Sequence, residues 1–391
     1  MNPSTFALWL NEALETHAGS DQRHIIRFSN NRDYAAFVRR IRRYSKSLPL
    51  LKQIQPLHLI RAISCTLRST AQIASVPFIQ SIETDTRIDV HAIQPRTTAL
   101  PTSGLRRSRS APTKTLIPWG VRHIRAPQAW PKSKGDRIRI GVVDTGVDHN
   151  HPDLRHCLSW GVNILQRHML PIDDNGHGTH IAGTIAAFTK HHGIIGVAPQ
   201  AIIHPVKAFD HQGGAFVSDI ISGIEWCIKN EVDIINMSFG MRAYSRALEA
   251  AVLSAHQAGI IIVASSGNEG KQAEIDYPAK LRQVIAVGAT TRRGSVAPFS
   301  NVGKQIDIYA PGENIFSTWM RGKYSELSGT SMATSHVSGV VALMLAKNPG
   351  LSPLRVKTLL RKHARLLIKP GKRIGGVKEI HALRAVSSVS K

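Results

Sequence analysis

The chain is 391 residues long and 42% hydrophobic, enough to bury a large core and to divide into more than one domain. Lys and Arg number 50 against 26 Asp and Glu, and the resulting formal charge of +24 attracts acidic partners without specifying a fold. There is no zinc-finger spacing and no basic stretch interleaved with aromatics, which make up only 6% of residues, so the charge is read as a solvated surface with no specific nucleic-acid partner.

The N-terminal stretch MNPSTFALWLNEALETHAG lacks a basic start and soon meets Glu12 and Glu15, unlike an ordinary leader. Residues 20–91 read as a small α+β unit. Arg23–Phe28 suits a strand, and Asp33–Tyr44 carries helical spacing at Ala36, Phe37, Val38 and Ile41. Leu57–Ser64 and Pro77–Glu83 suit further strands, with a short helical piece between them. From Pro95 to Lys134 there is no acidic residue, and PRTTALPTSGLRRSRSAPTK has the Pro, Ser and Arg content of an exposed linker. The expected boundaries are therefore 1–91, a basic linker at 92–116, and 117–391.

Beyond residue 136 short apolar strands alternate with helices. The strands are Ile138–Val143, Ile202–Val206, Val232–Asn236, Ile260–Ala264 and Val284–Val287. The helices are His177–Phe188, Val217–Lys229, Ser245–Ala258 and Ser331–Lys347. This pattern predicts an α/β fold, a mainly parallel sheet covered by helices on both faces, with ligands beyond the carboxyl ends of the strands. The longest apolar run, Val337–Ala346, is shorter than the about 20 residues of a membrane span. Cys65, Cys157 and Cys227 have neither disulfide nor metal spacing and read as buried thiols. The expectation is a monomer in the cytoplasm with no membrane partner, export by a non-classical route being the alternative.

Ser331 opens a predicted helix after Gly329, where free amides can face a developing oxyanion, but its hydroxyl needs a base. His177, between Gly176 and Gly178, opens another helix and supplies one. The two glycines are expected to let backbone and substrate approach closely. Asp144, the first polar residue after an apolar strand, can accept from the imidazole and fix its tautomer.

Three segments, VVDTGVD, GHGTHIAGT and GTSMA, in the order Asp144, His177, Ser331, resemble the boxes of the subtilisin-like serine peptidases. The resemblance covers roughly Ile117–Ala346 and implies a subtilisin-like three-layer fold and a serine endopeptidase of proteins and peptides, with no cofactor in its chemistry. By the same resemblance Asn268, in SSGNEG, is the side-chain oxyanion donor. Ser238, Phe239 and Gly240 of NMSFG pair with the substrate backbone, Phe239 facing an apolar subsite, and Gly213, Gly214, Ala215 and Val217 form the opposite edge. Main-chain pairing of this kind reads few side chains. His180 and His336, inside the boxes, are expected to make structural hydrogen bonds. Ser335 stands where the family often carries proline, with little effect expected.

Asp276 of EIDYPAK falls where the resemblance puts the floor of the P1 pocket. Facing inward it favours Lys or Arg at P1; facing solvent it leaves the preference unchanged. The HPDL match makes Asp153 an expected ligand of the family's calcium site. In FTKHHGIIGVAP, however, Lys190 occupies a ligand position, and the expectation is that its ammonium replaces the ion and pairs near Asp153. Asp307 of QIDIYAPG is left for a weaker cation site, and no metal is assigned. The 20–91 unit, ending in PFIQSIETD, resembles the family's propeptide, a small ferredoxin-like chaperone and inhibitor whose tail lies in the cleft. Self-cleavage is expected within 91–115, after His91 or later in RRSRS.

Two other classes are weighed. An inactive, polyanion-binding scaffold on the same fold has the +24 charge in its favour. An α/β-hydrolase esterase would want G-x-S-x-G around its serine and its catalytic histidine last, whereas here His177 precedes Ser331 and the serine box is GTSMA.

Overall fold

The computed structural model describes residues 2–15, 22–67, 70–71, 73–91, 114–369 and 372–390. The expected linker and its RRSRS stretch lie almost wholly outside the described residues. Only its end is described, Thr115–Leu116 pairing in parallel with Gly193–Ile194.

The apolar runs of the C-terminal region assemble one nine-stranded sheet. Its order is 365–369, 372–379, 308–311, 284–290, 261–265, 234–237, 139–144, 202–207, 162–163. Neighbours are parallel throughout except for the antiparallel pair at the 365–369 edge. Alternation along the strands sorts the core into two layers. Ile140, Val142, Ile261 and Val263 pack with the helices His177–Ala186 and Thr330–Lys347. Val143, Ile235, Ile262 and Ala264 pack with Val217–Lys229 and Arg246–Gln257. The helix from Thr330 is buried from Thr330 through Leu345, as suits an element apolar or small on every side. After Arg139–Asp144 the chain goes to the 202–207 strand on one side and to 234–237 on the other. A crevice therefore opens beyond the carboxyl end of the Asp144 strand.

The N-terminal unit is a four-stranded sheet ordered 55–57, 62–67, 22–28, 79–84, antiparallel at each pairing. One face carries Ile26, Phe28 and Ile63 into a core with Phe37 and Ile41 of the helix Asn31–Tyr44. The residues one step along, Ile25 and Ala62, point the other way and join the core of helices 217–229 and 246–257. The contact also has a polar part. Asp85 accepts from the Ser218 amide at 2.9 Å, and Glu83 accepts from the amides of Arg246 and Ala247. Each carboxylate thus caps the start of one helix of the C-terminal region.

One helix was not anticipated, and two local expectations need correction. Pro3–Glu15 is a helix, seating Phe6 and Leu10 in the N-terminal core. The strand expected at Leu57–Ser64 is broken by a 3₁₀ turn at His58–Ile60 and by left-handed Arg61, φ 54°. The helical piece expected before Pro77 is a run of turns among the described residues of 70–78.

Candidate active site

Asp144 ends its strand, His177 begins its helix, and Ser331 lies in the first turn of the central helix; all three are buried. His177 Nδ1 donates to Asp144, 2.7 Å from Oδ1 and 3.0 Å from Oδ2, while the Thr145 amide donates to Oδ1 at 2.8 Å. A carboxylate on Nδ1 fixes the tautomer that leaves Nε2 as the acceptor. That Nε2 is buried and makes no hydrogen bond. Ser331 Oγ donates instead to the Ser238 carbonyl, at 2.8 Å. The Asp144–His177 hydrogen bond is formed and the His177–Ser331 hydrogen bond is not.

The loop before His177 is held by Asp173, which motif reading missed. Its carboxylate accepts from the amides of Asn175, Gly176 and Thr179 and from the hydroxyls of Thr145 and Thr179. An acid just ahead of a helix start was the available signal. Close packing accounts for the flanking glycines, a side chain closing on Gly176 and, as expected, backbone closing on Gly178. Gly176 is left-handed, φ 105°, and a Cβ there would lie 2.3 Å from the Trp319 ring; one at Gly178 would lie 2.1 Å from the Gly146 carbonyl oxygen. His180 and His336 do make structural bonds, to the carbonyls of Ile315 and Met332. Burial lowers their pKa values to about 3 and about 4, so both stay neutral. Ser335 bonds the Met332 carbonyl at 2.7 Å within an unbroken helix. The three cysteines are buried, and burial pushes the thiols of Cys65 and Cys157 up to about 12.

Asn268 Oδ1 accepts from the Thr330 amide and the Thr330 hydroxyl, both at 2.9 Å, which leaves its NH₂ as the free end. A Cβ at Gly329 would lie 3.2 Å from Asn268 Nδ2 and only 2.5 Å from the carbonyl oxygen of His91. The end of the N-terminal unit therefore reaches the start of the helix that carries Ser331.

It reaches it as a strand. Arg87–Val90 pairs antiparallel with Gly214–Phe216 on one side and with Phe239–Gly240 on the other. The Val217 amide donates to the Thr86 carbonyl, the Val90 amide to Gly213, and the His91 amide to Ser238, the last at 3.1 Å. Both expected edges are thus occupied, and Phe239 packs in one cluster with Ile88 of the tail. Asp276 points inward: its Oδ2 lies 3.0 Å from His91 Nε2. Ser265, read only as part of SSGNEG, has its hydroxyl 2.7 Å from His91 Nδ1.

The calcium expectation fails differently from the way it was drawn. Lys190 is exposed and does not pair with Asp153. Asp153 Oδ2 instead accepts from the Tyr324 hydroxyl at 2.7 Å and the Ile194 amide at 2.9 Å. A Cβ at Gly193 would lie 2.3 Å from both carboxylate oxygens. Hydrogen-bond donors and backbone enclose this carboxylate, and the residues do not fit a Ca²⁺ ion, which needs several oxygen ligands. Asp307 is likewise spent, on Lys357 at 2.8 Å, Arg361 at 3.4 Å and the Ala286 amide. No group of three or more His, Cys, Asp or Glu suited to a metal exists among the described residues.

Residues 135–381 match the subtilase family, leaving the N-terminal unit outside the matched segment. The thermostable alkaline protease of Halalkalibacterium halodurans is 41% identical over 270 residues, 69% of this chain and 73% of that protein. Subtilisin DY of Bacillus licheniformis is 40% identical over 252 residues, covering 63% of this chain and 91% of that protein. For Subtilisin Savinase of Lederbergia lenta the identity is 41% over 249 residues, with coverage of 63% and 91%.

Proposed function

The chain belongs to the subtilase family and is a subtilisin-like serine endopeptidase; from that premise we propose that Ser331 is its nucleophile and that it frees its own N-terminal domain by cutting after His91. Ser331 Oγ attacks the scissile carbonyl carbon as its proton passes to His177 Nε2, and Asp144 stabilises the imidazolium that forms. The Ser331 amide and Asn268 Nδ2 donate to the oxyanion. His177 returns the proton to the departing amine, the C–N bond breaks, and water hydrolyses the ester left on Ser331, activated by the same imidazole. Every group belongs to the chain.

One observation carries the reading. The segment ending at His91 lies between two sheet edges in the manner of an added substrate strand, its last carbonyl beside Gly329 and Asn268. The N-terminal domain is then a propeptide, held by its caps on two helices and by its tail in the cleft, and substrates are proteins that can replace that tail. Residues 117–391 act as the peptidase domain, and the protein works as a monomer. Expressed as a full chain, wild type should split into two fragments and Ser331→Ala should stay whole. Splitting of Ser331→Ala at the wild-type rate would assign the cut to another protease and end the self-processing reading.

A further inference from the structure

The residue at the end of the tail is a histidine, and the pocket around it engages both of its ring nitrogens. His91 is 7% exposed, Asp276 3% and Ser265 fully buried, so little water competes for these contacts. Nε2 lies 3.0 Å from Asp276 Oδ2 and Nδ1 lies 2.7 Å from Ser265 Oγ. The slot is narrow: a Cβ at Gly240 would lie 2.5 Å from His91 Cε1 and 2.8 Å from Asp276 Cβ. Among the described residues, the His91 ring is the one partner of the Asp276 carboxylate, whose Oδ1 is buried with no hydrogen bond.

We propose that this pocket selects histidine at P1, with Asp276 and Ser265 as a two-point reader of the imidazole. The inference rests on the endopeptidase reading and adds its substrate preference. It revises the Lys or Arg preference that a carboxylate alone would suggest. A phenylalanine or leucine entering the slot leaves the buried Asp276 carboxylate without a partner and the Ser265 hydroxyl with only its long 3.5 Å bond to the Phe239 carbonyl, which a site built on hydrogen bonds rejects. A lysine supplies charge to Asp276, but its single nitrogen cannot stand where both ring nitrogens stand. An arginine carries its fork further from the backbone than an imidazole does. Little depth remains for it, because a Cβ at Gly267 would lie 2.8 Å from Asp276 Oδ2. A flat ring with nitrogens on two edges satisfies both groups at once.

The test is hydrolysis by the purified full-length chain of peptides Arg-Ile-Asp-Val-X-Ala-Ile, with X His, Lys, Arg, Phe or Leu, alongside casein. His should give the highest kcat/KM. Asp276→Asn should lower kcat/KM for the His peptide by about 10- to 100-fold, the size of one charge-assisted hydrogen bond, and Phe should gain on it. Ser265→Ala should weaken His cleavage more than Lys or Arg cleavage, which a merely electrostatic pocket would not show. Phe or Leu ranking first in wild type and in Asp276→Asn alike would overturn the proposal, as would Lys or Arg ranking above His in wild type. Casein cleavage with His ranking low sinks this inference alone; cleavage of neither casein nor any peptide sinks the reading beneath it.

Discussion

Asp144 and Asp276 are both buried carboxylates beside the same cleft, and they are satisfied by different parts of the chain. Asp144 takes its donors, the His177 ring and the Thr145 amide, from the body that also holds Ser331. Asp276 takes its partner from the tail, at His91, and keeps one oxygen unsatisfied. The first arrangement is complete whatever lies in the cleft. The second has a partner on even one of its oxygens only while an imidazole lies there. If the tail is cut away as proposed, a group buried with its partner on that segment marks where the protein meets substrates, and the chemistry of that partner describes what it takes. Asp153 is the counter-example: it too is buried, but Tyr324 and Ile194 of the same body hold it, so it calls for no ligand.

The comparison can be broken at each carboxylate. The largest effect belongs to Asp144→Asn, which should leave the fold intact and lower kcat by about 10⁴-fold for every substrate, because the imidazole loses the tautomer that accepts at Nε2. A loss confined to one P1 residue would mean that Asp144 reads substrate and does not orient the base. Asn268→Ala should cost on the order of 10²–10³ in kcat with KM nearly unchanged, the size found for the equivalent donor of a subtilisin. A change in KM alone would move Asn268 out of the oxyanion role. Asp276→Asn comes next, changing the ranking of P1 residues more than the rate on the best of them. The smallest effect is on stability. Tyr324→Phe removes one donor from a buried carboxylate and should lower stability by about 1–3 kcal/mol, read as a drop in Tm. Added Ca²⁺ should leave the wild-type Tm where it was, and a steep rise would show an ion where Tyr324 and Ile194 are placed.

Much of the peptidase region was legible because its strands are buried on both faces and therefore read as unbroken apolar runs. The motif boxes stand directly after those runs, where a parallel sheet exposes its carboxyl ends. Asp144 was read from that placement and His177 and Ser331 from the helix starts they open, whereas Asn268 and the two edges came only with the resemblance to the family. The N-terminal unit was harder. Pro3–Glu15 is short, and what makes it a helix in place is Phe6 and Leu10 against a sheet that begins at residue 22. In LHLIRAIS the apolar alternation runs straight through Arg61, whose left-handed backbone leaves no mark in the pattern. Some contacts between distant residues left no mark in the local sequence. Tyr324 meets Asp153 across 171 residues and Ser265 meets His91 across 174, so neither the donor that holds Asp153 nor the second partner of the His91 ring could be read locally.

The most direct measurement is the intact mass of the N-terminal fragment released by the full-length chain. The account predicts a fragment ending at His91 in wild type and none from Ser331→Ala. A wild-type fragment ending within 106–110, with no cut at His91–Ala92, would contradict it.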